Sequence, residues 1–106
     1  MKLKTLTALV ATTAICAPMA FAADMADEMT IVSWGGAYQT SQKLAYADPY
    51  VEMHPEVEVT WDESSAEAVA RLRAMNEAGN ITWDLVDVVA ADAMRLCDEG
   101  LAMEID

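Results

Sequence analysis

Basic residues are scarce in this sequence: six Lys or Arg stand against 18 Asp or Glu, a formal net charge of −12 over 106 residues. All 18 acids follow residue 22 while Lys2 and Lys4 precede it, so the remainder is more acidic still. Such a chain has no basic face with which to neutralise phosphates, which excludes nucleic acid as a partner by that route, and it is repelled by anionic lipid. Cysteine is equally rare. Of Cys16 and Cys97 only Cys97 lies beyond residue 22, so no disulfide can form within that part, and its setting in Met94-Arg95-Leu96-Cys97 reads as a small apolar residue buried on a helix. One histidine, His54, and one cysteine are too few for a zinc centre. Nucleophile elbow, phosphate loop and dinucleotide fingerprint are all missing, and His54 precedes Pro55 in a turn, so no catalytic constellation and no cofactor site is expected. The apolar stretch over residues 6–19 is too short to span a bilayer comfortably, and no other stretch approaches the roughly 20 apolar residues that a membrane-spanning helix needs.

What is present begins with a targeting pattern. Lys2 and Lys4 give a positive start, residues 6–19 an apolar stretch without charge, and Ala20-Phe21-Ala22 a small-x-small cleavage site, which predicts export and removal of residues 1–22. Ile15 before Cys16 lacks the small side chain expected before a lipid-modified cysteine. Residues 23–28 then read as a flexible leader.

Met29-Thr30-Ile31-Val32-Ser33-Trp34 is β-branched and apolar and closes on Gly35-Gly36, a strand followed by a turn. Residues 39–46 are helix formers, with Pro49 expected to end or kink the helix. Over 56–62, Val57, Val59 and Trp61 alternate with Glu58, Thr60 and Asp62, the pattern of a strand with one buried face. Ser64-Ser65-Ala66-Glu67 matches a capping box, in which Ser64 and Glu67 satisfy each other's backbone N–H groups. The helix it predicts carries Val69, Leu72 and Met75 on one side and stops at Gly79-Asn80. Asp84-Leu85-Val86-Asp87-Val88-Val89-Ala90 reads as a strand covered on both faces and interrupted by Asp87. Residues 91–99 make a final helix with Met94, Leu96 and Cys97 inward, ended by Gly100. The order βαβαβα with short links predicts an α/β fold with a parallel sheet, and three strands with unpaired edges read as an incomplete domain spanning residues 29–106.

In open parallel sheets ligands gather at the carboxyl ends of the strands. Three loops meet there: Ser33-Trp34-Gly35-Gly36-Ala37-Tyr38, Glu63-Ser64-Ser65 and Ala90-Ala91-Asp92. Gly35 and Gly36 allow a close backbone approach, and Trp34 and Tyr38 offer aromatic walls, which can hold an ammonium group by cation–π attraction. Glu63 and Asp92 could match its charge. Each of these features also has a plain structural use: a tight turn, a core aromatic, a helix-capping acid or hydroxyl.

Thr30-Ile31-Val32-Ser33-Trp34-Gly35-Gly36-Ala37-Tyr38, Thr60-Trp61-Asp62-Glu63-Ser64, Trp83-Asp84-Leu85-Val86-Asp87-Val88-Val89, Cys97-Asp98-Glu99-Gly100-Leu101 and Glu104-Ile105-Asp106 stand in one order, and with the targeting segment they are spread along the whole chain. In these stretches the sequence resembles the start of a periplasmic substrate-binding protein of an ABC importer, in the spermidine/putrescine-binding-like branch. The resemblance implies the first part of the N-terminal lobe of a two-lobed protein of the type II periplasmic-binding fold. It implies capture of a polyamine or a related small polar solute, delivery to an ABC permease in the inner membrane, a monomer and no enzyme activity. It places Trp34 against the solute, and the positions of Gly35, Gly36, Tyr38, Ser64 and Asp92 in the three loops and helix starts make them further candidate contacts. The sequence departs from the family where Gly35 and Gly36 replace bulkier polar residues, and where Val89-Ala90-Ala91 stands in place of a hydroxyl and a tyrosine. Two other readings of the residues stay open: an exported α/β hydrolase or transferase whose catalytic residues lie further on, and a small acidic module that binds a partner through its sheet edge.

Overall fold

The computed structural model describes residues 26–105; the expected targeting segment and Cys16 lie outside them. In chain order come β1 (Glu28–Val32), α1 (Gly36–Gln42), a π-helical turn (Lys43–Ala47), α2 (Asp48–Met53), β2 (Glu58–Asp62), a 3₁₀ turn (Ser65–Glu67), α3 (Ala68–Glu77), β3 (Leu85–Val86) and α4 (Ala90–Asp98). The strands form one parallel sheet in the order β2-β1-β3. Glu28 to Val32 lie opposite Glu58 to Asp62, and Ile31 and Val32 opposite Leu85 and Val86. Parallel neighbours need a crossover between them, which the helices supply. The chain steps from β1 out to β2 and then returns past β1 to β3, so the carboxyl ends of β1 and β3 flank the point where the direction of strand addition reverses.

One face of this sheet is dry. Val32, Ala68, Val69, Leu72, Trp83 and Leu96 form a buried cluster with Met75, Val86, Val88 and Leu101 against it, so the Val69, Leu72 and Met75 stripe packs as its spacing predicts. Each large aliphatic side chain buried there contributes about 1.5–3 kcal/mol. Both helices on this face end in the same way. Gly79 N–H donates to Asn76 O at 3.1 Å and Asn80 N–H to Met75 O at 3.0 Å, and Gly100 N–H donates to Cys97 O at 3.0 Å and Leu101 N–H to Leu96 O at 2.8 Å. This is the Schellman arrangement, with Gly100 at φ 67° taking the left-handed position and Leu101 returning to the core. On the other face lie α1, the π turn and α2, where Val57, Val59 and Trp61 line a groove with Lys43, Ala47 and Val51.

Four expectations are corrected. Pro49 does not end the helix; residues 36–53 run on through the π turn, in which Asp48 N–H donates to Lys43 O, and Pro49 falls in the first turn of α2. The wider turn resets the hydrogen-bond register, so proline's missing donor comes where a helical start has no acceptor to offer. The capping box does not form. Glu67 N–H donates to the backbone oxygen of Ser64 at 3.0 Å in the 3₁₀ turn, α3 starts at Ala68, and neither Ser64 nor Glu67 makes a side-chain cap bond. The third strand is two residues long and edge-exposed, with Leu85 54% accessible rather than covered. Asp84 takes over part of the ladder, its carboxylate accepting from Thr30 N–H at 2.7 Å while its own N–H donates to Thr30 O at 3.1 Å. Finally, Cys97 and Met94 are exposed and Leu96 alone of that trio is buried, because α4 meets the core along a narrow strip. His54 stands in a surface turn as read, closing α2 and stacking on Tyr50 with ring centres 4.6 Å apart.

Candidate functional site

The carboxyl edge is held together by short backbone ties. Ser33, directly after β1 and fully buried, donates its N–H to Asp62 O at 2.8 Å and accepts from Ser65 N–H at 3.3 Å, locking the β1 loop to the β2 loop. On its other side Asp87 N–H donates to Val32 O at 2.9 Å, which sets Asp87 beside Ser33 at the ends of adjacent parallel strands.

Side chains extend these ties into a network. Tyr38 and Gln42, four residues apart on α1, share one side of that helix. Tyr38 OH donates to Asp87 Oδ2 at 2.7 Å and Gln42 Nε2 donates to the same oxygen at 2.6 Å. Ser33 Oγ donates to Gln42 Oε1, which turns the amide so that its nitrogen faces Asp87. The hydrogen bond to Asp87, with that carboxylate's charge, raises the Tyr38 phenol above its ordinary 10.0 and keeps it a donor through the physiological range.

Trp34 and Gly35 follow Ser33. Trp34 is 43% accessible although its neighbours Ser33 and Gly35 are buried, so the loop presents the indole outward from a pinned backbone. Gly35 takes φ 72° and ψ −173°, a region reserved for glycine. A Cβ there would lie 2.9 Å from the Glu63 carboxyl group, so the side chain of the second loop rests directly on the Gly35 backbone. Gly36, at φ 57°, opens α1 with free space where a Cβ would stand.

The structure brings Trp34, Gly35, Gly36 and Tyr38 to one edge. Ser64 sits in the second loop without a side-chain cap bond, and its neighbour Ser65, 1% accessible, has an Oγ without a partner among the described residues, as does the buried Gln39 Oε1 on α1. Asp92 lies in the first turn of α4, its carboxylate 3.5 Å from Arg95, with no bond to the Tyr38 network. Ser33, Gln42 and Asp87 were not singled out by sequence reading as site residues. The available signal was Asp87 itself, since a carboxylate inside an apolar strand must find donors. A groove of about 330 Å³ opens beside them between the helical segment and the sheet, lined by Ile31, Gln42, Tyr46, Trp61, Leu85 and Asp87 among others. Among the described residues no three His, Cys, Asp or Glu side chains are placed to hold a metal ion.

Residues 45–106 match the family described as bacterial extracellular solute-binding protein. The gamma-aminobutyric acid-binding protein of Pseudomonas aeruginosa is 35% identical to the chain over 91 residues, which make up 83% of the chain and 25% of that protein. The chain thus spans about a quarter of the length of this curated relative.

Proposed function

Because the chain belongs to the bacterial extracellular solute-binding protein family, we propose that it is part of an exported, periplasmic protein that captures a small solute for an ABC importer and passes it to a permease in the inner membrane. In this reading residues 29–106 are the first part of the N-terminal lobe of a two-lobed, type II binding protein acting as a monomer, with a cleaved signal over residues 1–22. The solute is a short, flexible molecule bearing a primary amine. A polyamine is what the sequence resemblance implies, and the name of the 35% identical relative points to γ-aminobutyrate; an ammonium on an aliphatic chain is common to both.

The observation that carries the reading is the outward Trp34, held between buried Ser33 and buried Gly35 at the point where strand order reverses. A large aromatic kept out of the core by a fixed backbone is a ready wall for an alkyl ammonium. Gly36, with open space where a Cβ would stand, gives that solute close access to the backbone, Gly35 shapes the turn beneath Glu63, Tyr38 lies beside them on α1, and Ser64 and Asp92 stand at the rim. This lobe alone binds little, because a cleft needs its opposite side. The match to a family of binding proteins favours neither the hydrolase or transferase reading nor the acidic interaction module.

Thermal unfolding of the full-length protein with putrescine, spermidine, γ-aminobutyrate and the amine-free analogue butyrate tests this. A ligand that binds the native state at 100 times its dissociation constant adds about 2.7 kcal/mol of stability, so at least one amine should raise Tm by several degrees. No shift with any of the three amines would sink the amine-capture reading.

A further inference from the structure

We infer that Asp87 is the ammonium anchor of this site and sets its preference for amines over neutral and anionic analogues, an inference that rests on the solute-capture reading above. The carboxylate is half-buried at the carboxyl end of β3, and its backbone is tied to Val32 at 2.9 Å. Both of its side-chain bonds, from Tyr38 and from Gln42, converge on Oδ2. Oδ1 has no hydrogen-bond partner among the described residues, and it is not one of their buried unpartnered atoms, which are Gln39 Oε1 and Ser65 Oγ. It therefore reaches solvent from a carboxylate whose orientation is already fixed.

The charge is the informative part. The ion pairs of the described residues join Arg71 to Asp62, Arg73 to Glu99 and Arg95 to Asp92, with His54 lying 3.4 Å from Glu56, and none of these contacts includes Asp87. Holding Tyr38 and Gln42 requires one acceptor oxygen and no charge, so an asparagine would serve the fold as well. No cation stands beside this carboxylate among the described residues, and the bonds from Tyr38 and Gln42 leave both its charge and one oxygen unused. An ammonium brings three donors and the missing positive charge, and charge-assisted bonds of this kind are about twice as strong as neutral ones. The Ser33 hydroxyl orients the Gln42 amide so that its nitrogen stays on the inner carboxylate oxygen of Asp87, which leaves the other oxygen outward. Asp87 is thus poised before the solute arrives, which limits the ordering cost of binding.

The test is Asp87→Asn in the full-length protein, with calorimetric titration of putrescine and γ-aminobutyrate into both forms. An amide oxygen can still accept from Tyr38 and Gln42, so unliganded Tm should stay within about 2 °C while affinity for the amine falls about 10- to 100-fold, the loss expected for a hydrogen bond to a charged group. A wild type that binds an amine with an Asp87→Asn variant within twofold of it overturns the anchor and leaves capture standing. A wild type that binds neither amine overturns both. Should the variant misfold, the carboxyl carbon resonance of Asp87 in isotopically labelled wild type is the second readout: it moves on saturation with the amine if Asp87 is the anchor, and an unmoved resonance contradicts it.

Discussion

The two faces of the sheet are built to different ends. Behind it, α3 and α4 close on Val32, Leu72, Trp83 and Leu96 with no polar side chain in the cluster, and both helices end in hydrogen-bonded glycine turns. In front, α1, the π turn and α2 leave open grooves, Tyr46 and Leu44 stay exposed, and attachment to β3 runs through the hydrogen bonds that Tyr38 and Gln42 give Asp87. Apolar burial is strong and indifferent to direction, whereas hydrogen bonds are weaker in net terms but fix orientation. The rear face supplies stability, and the front edge spends little on packing and places a few groups accurately for a solute.

The largest test of that division is Leu72→Ala, which leaves a cavity on the rear face and should cost about 2–5 kcal/mol in urea unfolding of the full-length protein. Leu85→Ala, at a site 54% accessible on the front, should cost under about 0.5 kcal/mol. Equal losses would break the comparison. Next comes Gly35→Ala. The backbone there lies in glycine-only territory, so strain of about 1–3 kcal/mol is expected, with the Glu63 carboxyl group forced to swing away from its 2.9 Å approach. Because Glu63 is a flexible side chain, removing it through Glu63→Gly should recover only a minor part of that loss. Trp34→Ala should leave unfolding unchanged within about 0.5 kcal/mol and weaken amine binding about two- to fivefold, the range of an exposed cation–π contact. A collapse in stability instead would make Trp34 a core residue after all.

The smallest effect is on pH dependence. Arg73 reaches from α3 to both carboxylate oxygens of Glu99 just beyond α4, with Nε 2.6 Å from Oε2, and this hydrogen-bonded pair holds Glu99 below the ordinary 4.5. A lowered folded-state value means that the pair's contribution is present above about pH 4.5 and is lost as pH falls through the lower value. Arg73→Ala should therefore flatten the acid limb of a Tm against pH curve by lowering Tm slightly at pH values above about 4.5 and leaving it unchanged in stronger acid, the drop being small because the pair is solvent-screened. An unaltered acid limb would show the pair to be inert.

Much of the rear face was legible in the sequence because its signals are local. The three-residue spacing of Val69, Leu72 and Met75 and the glycines at 79 and 100 each declare themselves within one helix, and on the front face the alternation of Val57, Val59 and Trp61 does the same within one strand. The parallel sheet followed from the order of elements. The front edge was only half legible. Gly35 next to Trp34 marks a loop that can present an aromatic, but Asp87 looked like a flaw in an apolar strand because its partners Gln42 and Tyr38 lie 45 and 49 residues away. The Ser64 to Glu67 pattern misled for a related reason. The Ser65 N–H is drawn to Ser33 O across the loop, and this tertiary tie overrides the local cap, tightening the chain into a 3₁₀ turn before α3 can start. Pro49 likewise obeys its rule only once the π turn has reset the register, and nothing in the neighbouring residues announces such a turn.

The central claim, that solute is taken at the carboxyl edge of β1 and β3, is tested most directly by hydrogen–deuterium exchange of the full-length protein with and without a saturating amine. Slowed exchange in peptides covering residues 33–38 and 87–90, with the rear-face helix ends at 78–80 and 99–101 unchanged, is the expected result. Protection confined to other parts of the molecule at saturation would contradict the account.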